Sequence, residues 1–497
     1  MTPDPRLVNA DLAPPPPEAR TWSVANMAAL WIGMVVCVPT YMLAGGLVDL
    51  GMSWWQAVLT ICLANVIVLV PMIANGHPGT RYGIPFPVLA RASFGVLGAN
   101  LPALLRALVA CGWFGIQTWI GGAAIHQLAG ALAGRSLGGA DLPLLGINAA
   151  ELLCFLFFWA IQVVLFWRGI ESIKVLETWA APFLVIMGLA LLGWAWTRAG
   201  GFGGMLATPS QFAPGGAREG ELWRVFFPAL TGMVGFWATL SLNIPDFTRF
   251  ARTQRDQVLG QALGLPTFMT LFAFIGVAVT SATVTIFGEA VPDPVALLGR
   301  LEGGPAILLS LAALAIATLS TNLAANVVSP ANALINLAPA RFDFRRAALV
   351  TAGLGIAVFP WKLIESTQGY IFTWLVGYSA LLGPIGGILL ADYYLVRRMR
   401  LEVDDLYRRG GVYEYRGGTN PRALAALAVG VAPNVPGFLA EAGFVDAVPG
   451  LFLTIYQYAW FVGLPLAGLV YWALMRRHPG TGPGATEELS PILARHC

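Results

Sequence analysis

The chain reads as long apolar runs punctuated by short polar segments. A bilayer core takes about 20 apolar residues per helix. Twelve runs meet that length: 25–48, 54–76, 100–130, 149–168, 175–197, 225–244, 261–287, 304–334, 347–361, 370–396, 422–441 and 450–475. The run at 347–361 is the weakest, so eleven is the alternative count. The pattern predicts an all-α polytopic membrane protein. Residues 1–24 include a proline run at 14–17 and lack the features of a secretory signal or an organelle transit peptide. They are expected to form a flexible cytoplasmic arm, and 478–497 a flexible cytoplasmic tail.

Two runs carry helix-breaking chemistry in mid-span. The first contains Gly33, Pro39 and the pair Gly45 and Gly46. The sixth contains Gly235 and ends at Asn243, Ile244, Pro245 and Asp246. Proline withholds a backbone donor and frees carbonyls. Backbone freed at membrane depth persists where it lines a cavity or binds something. Breaks at spans one and six suggest two five-span repeats, 25–197 and 225–396, around a central site. The alternative is an ordinary proline kink in each. Residues 422–475 then hold two additional helices.

Composition agrees with the pattern. Apolar residues make up 57%, charged residues 11%, and mean hydropathy is +0.70, against about 25% charged in soluble domains. The placement of charge gives an orientation. Of the 29 Lys and Arg, Arg135, Arg198, Arg218, Arg224, Arg300 and Lys362 fall on one side. Arg106 sits at a helix start, and the rest lie on the side of the N-terminus. Basic loops stay in the cytoplasm, so both termini are expected there. The five cysteines have no ligand-like spacing, so buried free thiols are expected and metal chemistry is not indicated.

Few side chains carry usable chemistry. Trp113 and Gln117 are one helical turn apart and share a face. An indole plate beside a carboxamide suits a flat ring with amide-like edges; the alternative for Trp113 is packing between helices. In the eighth run, Thr318 and Asn322 are explained by helix packing. The hydroxyls of Ser320 and Thr321 can serve a hard monovalent cation opposite unwound carbonyls, and Asn326 can bond a substrate. His126, Glu151, Glu365 and Asp392 are read as peripheral. With no buried carboxylate pair or histidine cluster, a charged substrate is not expected. An enzyme would need such a cluster or an activated nucleophile, so none is expected.

Several motifs resemble the nucleobase–cation symporter-1 family: NADLAP at 9–14, HPGTRYGIPFP at 77–87, WFGIQTW at 113–119, LNIPDFTR at 242–249, STNLAAN at 320–326 and LGPIGG at 382–387. The resemblance covers nearly the whole chain. It implies a LeuT-like five-plus-five inverted repeat with discontinuous helices 1 and 6, two extra C-terminal helices, and alternating access. It places a sodium site at the carbonyls of Gly33, Val36 and Ala317 with the hydroxyls of Ser320 and Thr321. It places the substrate between Trp113 and Trp237, with Gln117 and Asn326 on its edges. Cys37 stands where hydantoin carriers have glutamine, and Phe236 where they have glycine. The stretches Phe236 through Leu240 and Tyr378 through Pro384 look most like uracil and allantoin carriers, and Cys37, Phe236 and Thr239 join the substrate-binding residues that the resemblance implies.

The expectation is a cation-coupled importer of a neutral nucleobase, uracil first and allantoin second, in a bacterial inner membrane. Sodium or a proton is the coupling ion, and no other cofactor is expected. The alternatives are a hydantoin or purine/cytosine permease of the same family, a passive channel, and a non-transporting sensor of nucleobases. Expected partners are the small-molecule substrate and the lipid bilayer, without nucleic acid. The oligomeric state stays open, a monomer included.

Overall fold

Pro39 decides where the first span breaks. A continuous helix would bond the N–H of residue 39 to the carbonyl of Val35, and proline has none. The Val35 carbonyl takes the N–H of Cys37 instead, at 2.9 Å, and Gly33 thereby loses its i+4 donor. Two half-helices result, α1 (Val24–Val35) and α2 (Val38–Asp49), bent by 60°. A computed structural model describes residues 4–168, 185–301 and 304–476, the side chains at 305–307, 320 and 324 excepted. The tail 478–497, the first part of the fifth run and the Ser320 hydroxyl lie outside the described residues.

The chain continues through α3 (Trp54–Tyr82), the short α4 (Phe86–Phe94), α5 (Asn100–Ala133), α6 (Ala149–Arg168) and α7 (Val185–Arg198). The sixth span is again two pieces, α8 (Leu222–Phe236) and α9 (Ala238–Asn243). Trp237 joins them, and its N–H turns to the Val234 carbonyl at 3.2 Å. Next come α10 (Gln254–Phe287), the short α11 (Pro294–Arg300), α12 (Pro305–Asn326), α13 (Val328–Leu337) and α14 (Phe344–Ala357). The last spans are α15 (Gly369–Val396), α16 (Pro421–Glu441), α17 (Gly450–Gln457) and α18 (Ala459–Met475).

The eighth run, expected as one helix, is split at Val327. Pro330 has no N–H for the carbonyl of Asn326, so α12 ends there. The twelfth run is also split: α17 and α18 meet at 88° about Tyr458.

Packing follows a five-span interchange. Both halves of span one pack on α10 in span seven, and both halves of span six pack on α3 in span two. α5 and α12, spans three and eight, pack on each other, as do α3 and α10. The contact of α5 with α14 has its counterpart in α12 with α6, and that of α1 with α12 in α9 with α5. Adding or subtracting five maps each pair onto another, as an internal repeat requires. α18 packs on α15 outside this scheme. Glycine allows the tightest approaches: a Cβ on Gly115 of α5 would collide with the Gly355 carbonyl of α14.

The N-terminal arm is docked instead of free. Leu7 and Leu12 are 2% and 0% exposed, packed among Tyr82, Ile84, Tyr407 and Tyr413. The Tyr407 hydroxyl donates to the Leu12 carbonyl at 2.9 Å, and Arg20 donates to the Thr80 carbonyl. The expectation of a flexible arm is corrected for residues 4–22. Its two leucines find an apolar bed in tyrosines that the sequence places far away.

Candidate functional site

The two breaks and the end of α12 meet at one cleft. Met34, Cys37 and Pro39 come from the first break, and Phe236, Trp237, Thr239 and Leu240 from the second. Trp113 and Gln117 come from α5, and Thr321, Ala325 and Asn326 from α12. The empty space, mouth and open solvent included, is about 410 Å³. Cys37, Trp113, Gln117, Phe236, Trp237, Thr239 and Asn326, chosen from the sequence as substrate residues, all line it. A wider surface cleft beside Arg416 and Arg422 touches neither break.

Aromatic rings form the walls. Trp113 meets Phe236 edge-on at 5.3 Å and 81°, and Trp237 meets Phe236 at 4.9 Å and 88°. The two indoles thus share one phenyl ring as a neighbour. Tyr370, Trp374 and Tyr378 of α15 surround Trp113 at 6.1–6.4 Å, and Trp31 backs Trp237 at 5.3 Å. The α15 aromatics were not singled out in the sequence as site residues.

The polar atoms in this apolar frame are few and under-used. The Oε1 of Gln117 and the indole N–H of Trp237 are buried without a partner among the described residues. Unpaired buried polar groups cost about 1–3 kcal/mol each, and a ligand with complementary edges offsets that cost. The Cys37 thiol lies 3.3 Å from the Thr40 hydroxyl. Asn326 Nδ2 donates to Asn322 Oδ1 at 2.9 Å. Behind it lie Thr118 and Gln162, hydrogen-bonded to Asn322. The sequence signal for Gln162 was a lone amide inside the apolar run at 149–168.

The oxygens expected to hold a cation fall on the same two elements. Val36 caps α1 with φ −77° and ψ 81°, which turns its carbonyl out of the helical direction. The Gly33 carbonyl has lost its Cys37 donor, as described above. On α12 the Thr321 hydroxyl donates to the Ala317 carbonyl at 3.1 Å, and Thr321 reaches the cleft. α1 and α12 pack together.

Two charged residues need correction. Arg106 is 1% exposed and donates to Asn243 Oδ1 at 2.9 Å, at the inner end of the sixth span. Asp392, read as peripheral, is 2% exposed and pairs with Arg397 at 2.8 Å. Arg106 finds its partner 137 residues on, and Asp392 pairs five residues on while also accepting from Tyr471, 79 residues on, at 2.6 Å.

A family model described as a permease for cytosine/purines, uracil, thiamine and allantoin matches residues 14–463. The chain is a member of the nucleobase–cation symporter-1 family. Among relatives of this symporter chain, the purine-uracil permease NCS1 of Arabidopsis thaliana is 50% identical over 476 residues, covering 95% of this chain and 78% of the relative. The allantoin permease of Bacillus subtilis (strain 168) is 43% identical over 476 residues, covering 95% and 94%. The solved structure of Mhp1, a nucleobase-cation-symport-1 family transporter in a closed conformation with bromovinylhydantoin bound, is similar with a TM-score of 0.78. Identity to it is 28%, over 98% of this chain and 99% of that one. The nucleobase–cation symporter fold is thus the inverted five-plus-five repeat with broken first and sixth helices and two further C-terminal helices. This symporter-family chain is a permease and not an enzyme.

Proposed function

We propose that the chain imports a neutral nucleobase or related heterocycle, uracil first and allantoin second, coupled to a monovalent cation. The observation that carries the reading is the cleft itself: indole and phenyl walls around the unpaired Gln117 Oε1 and Trp237 N–H. Stacking satisfies the faces of a flat ring and the amides satisfy its edges. The names of the purine-uracil and allantoin permeases support the order of substrates.

Alternating access follows from the breaks. Residues 25–197 and 225–396 form the two repeats, and 422–475 stands outside them. The cleft lies between the group formed by spans one, two, six and seven and the group that holds spans three and eight, so rocking one group against the other exposes it to each side in turn. The excess of Lys and Arg on the loops of one side supports a cytoplasmic position for both termini, in a bacterial inner membrane on this reading.

For coupling, the residues fit a hard cation held by neutral oxygens: the Gly33 and Val36 carbonyls from α1, and the Ala317 carbonyl with Thr321 and Ser320 hydroxyls from α12. Bound there, a sodium ion would supply a positive charge that both elements share. Cys37 on one side and Asn326 on the other place these elements beside the substrate.

Purified protein in liposomes should take up labelled uracil saturably, faster with an inward sodium gradient than with choline. Unlabelled uracil should compete best and allantoin next, ahead of hydantoin, cytosine, adenine and guanine. Thr321→Ala should keep uracil binding and lose about tenfold in sodium affinity, the scale of one charge-assisted ligand interaction. Uptake indifferent to sodium in both proteins would move the coupling to a proton or remove it. Native protein that takes up none of these rings defeats the substrate reading.

A further inference from the structure

We infer that Asn322, anchored by Thr118 and Gln162, is a positioning residue that fixes which atom of Asn326 faces the cleft, and so sets the order of donor and acceptor on the ring it takes. The inference rests on the nucleobase reading of the cleft and deepens it.

The orientation of the amides can be derived from one backbone carbonyl. Phe114 O can only accept, and it receives the Thr118 hydroxyl at 2.6 Å and one amide atom of Asn322 at 3.0 Å. That atom is therefore Nδ2. Thr118 has one hydrogen and has spent it on Phe114, so its oxygen can only accept from Gln162, at 3.0 Å. The nearby Gln162 atom is then Nε2, which leaves Gln162 Oε1 to accept from Asn322 Nδ2 at 2.7 Å. The loop closes, with one Nδ2 hydrogen of Asn322 on Gln162 Oε1 and the other shared between Phe114 O and Thr118 Oγ1, the latter at 3.2 Å.

Asn322 Oδ1 consequently points the other way, toward Asn326. It can only accept, so the Asn326 atom at 2.9 Å is Nδ2. Asn326 is left with Oδ1 and one N–H hydrogen for the cleft, in a fixed order. Turning the amide over would set two carbonyl oxygens against each other in a buried place. Thr118, Gln162 and Asn322 are fully buried, and none lines the cleft. Gln117 differs: its Oε1 has no partner, so its amide is free to present either atom. One edge of the site is adaptable and the other is fixed.

A fixed order selects among rings. The lactam edge of uracil offers an N–H beside a carbonyl, complementary to Oδ1 beside N–H. In the same pose cytosine offers a bare ring nitrogen beside an amino group, with donor and acceptor exchanged. A site built to hydrogen-bond one order rejects the other, because its own polar atoms are left facing like atoms. The chemical class implied is lactams, imides and ureides that carry the N–H on the Asn326 Oδ1 side.

The test measures the ratio of cytosine to uracil inhibition constants, by tryptophan-fluorescence titration of the purified full-length chain and by competition of uptake in liposomes. Asn322→Leu releases the Asn326 amide and should narrow the ratio by about tenfold, the scale of one buried hydrogen bond. It should act mainly through cytosine binding tighter. Gln162→Leu, which leaves the Phe114 anchor in place, should narrow it less, and Gln162→Glu, which keeps an acceptor for Asn322, least of all. 3-Methyluracil, which keeps N1–H but lacks the N3–H beside the C4 carbonyl that is matched to Asn326, should bind the native protein weakly and Asn322→Leu with less penalty. A general packing role would weaken both rings together and leave the ratio unchanged, and that outcome overturns the inference alone. Native protein that binds neither uracil nor any other N–H-bearing ring of the panel overturns the inference together with the reading beneath it. If Asn322→Leu does not fold, a Gln162→Leu ratio equal to native overturns it.

Discussion

Trp113→Ala should abolish measurable saturable uptake of uracil, while Trp113→Phe should retain it with weaker apparent affinity. The indole is held by four rings, Phe236, Tyr370, Trp374 and Tyr378, with centroids 5.3–6.4 Å away. Alanine removes the plate on which a flat ring stacks, and aromatic stacking of a base contributes about 1–3 kcal/mol, or about 5–150-fold in affinity. It also opens a void that Phe236 and the α15 aromatics can fill, and the face of the cleft is then lost altogether. Phenylalanine keeps a face and most of the cage. The measurement is uptake against uracil concentration, normalised to monodisperse protein, because burying alanine in place of tryptophan costs about 3–5 kcal/mol of stability in a core. A folded Trp113→Ala protein with native KM would remove Trp113 from the substrate's neighbourhood.

What the sequence discloses about this fold depends on the range of the cause. The first break is legible because Pro39 acts four residues away, on Val35, and the consequence for Gly33 follows from one redirected N–H. The break after Asn326 has the same local cause in Pro330, yet small apolar residues on both sides made the run read as one helix. Trp113 and Gln117 are legible as a pair because a single turn joins them. Gln162 is not, because its role exists only through Asn322, 160 residues on. The docking of Leu7 and Leu12 is likewise hidden. Two leucines among prolines have no periodicity, and their bed is made by Tyr82, Tyr407 and Tyr413. Asp392 misled for a related reason: a charge near a span end is usually solvated, and only the packed neighbours show otherwise.

Asp392→Ala should be the most destabilising single change outside the cleft. The reason begins in the backbone. Residues 391–396 form a π-helical turn, with the Arg397 N–H on the Asp392 carbonyl at 2.8 Å. A π-turn brings residues five apart into register, where an α-helix would set them on different faces. The Arg397 guanidinium therefore reaches Asp392 Oδ2 at 2.8 Å and the Ala92 carbonyl of α4 at 2.8 Å, and lies 4.6 Å from the centre of the Tyr413 ring. Tyr471 of α18 donates to the other carboxylate oxygen at 2.6 Å. One ion pair thus ties α15, α4, α18 and the segment that carries Tyr413. Removing the carboxylate leaves a buried, uncompensated guanidinium, which costs about 3–5 kcal/mol. Replacing both partners with apolar residues, Asp392→Leu with Arg397→Met, removes the stranded charge and should recover most of that loss. Thermal unfolding of the detergent-purified proteins measures it: the single variant should melt well below native, or fail to accumulate, and the double variant should lie between. A single variant as stable as native would mean that the helices are held by their apolar contacts alone, with the ion pair adding nothing.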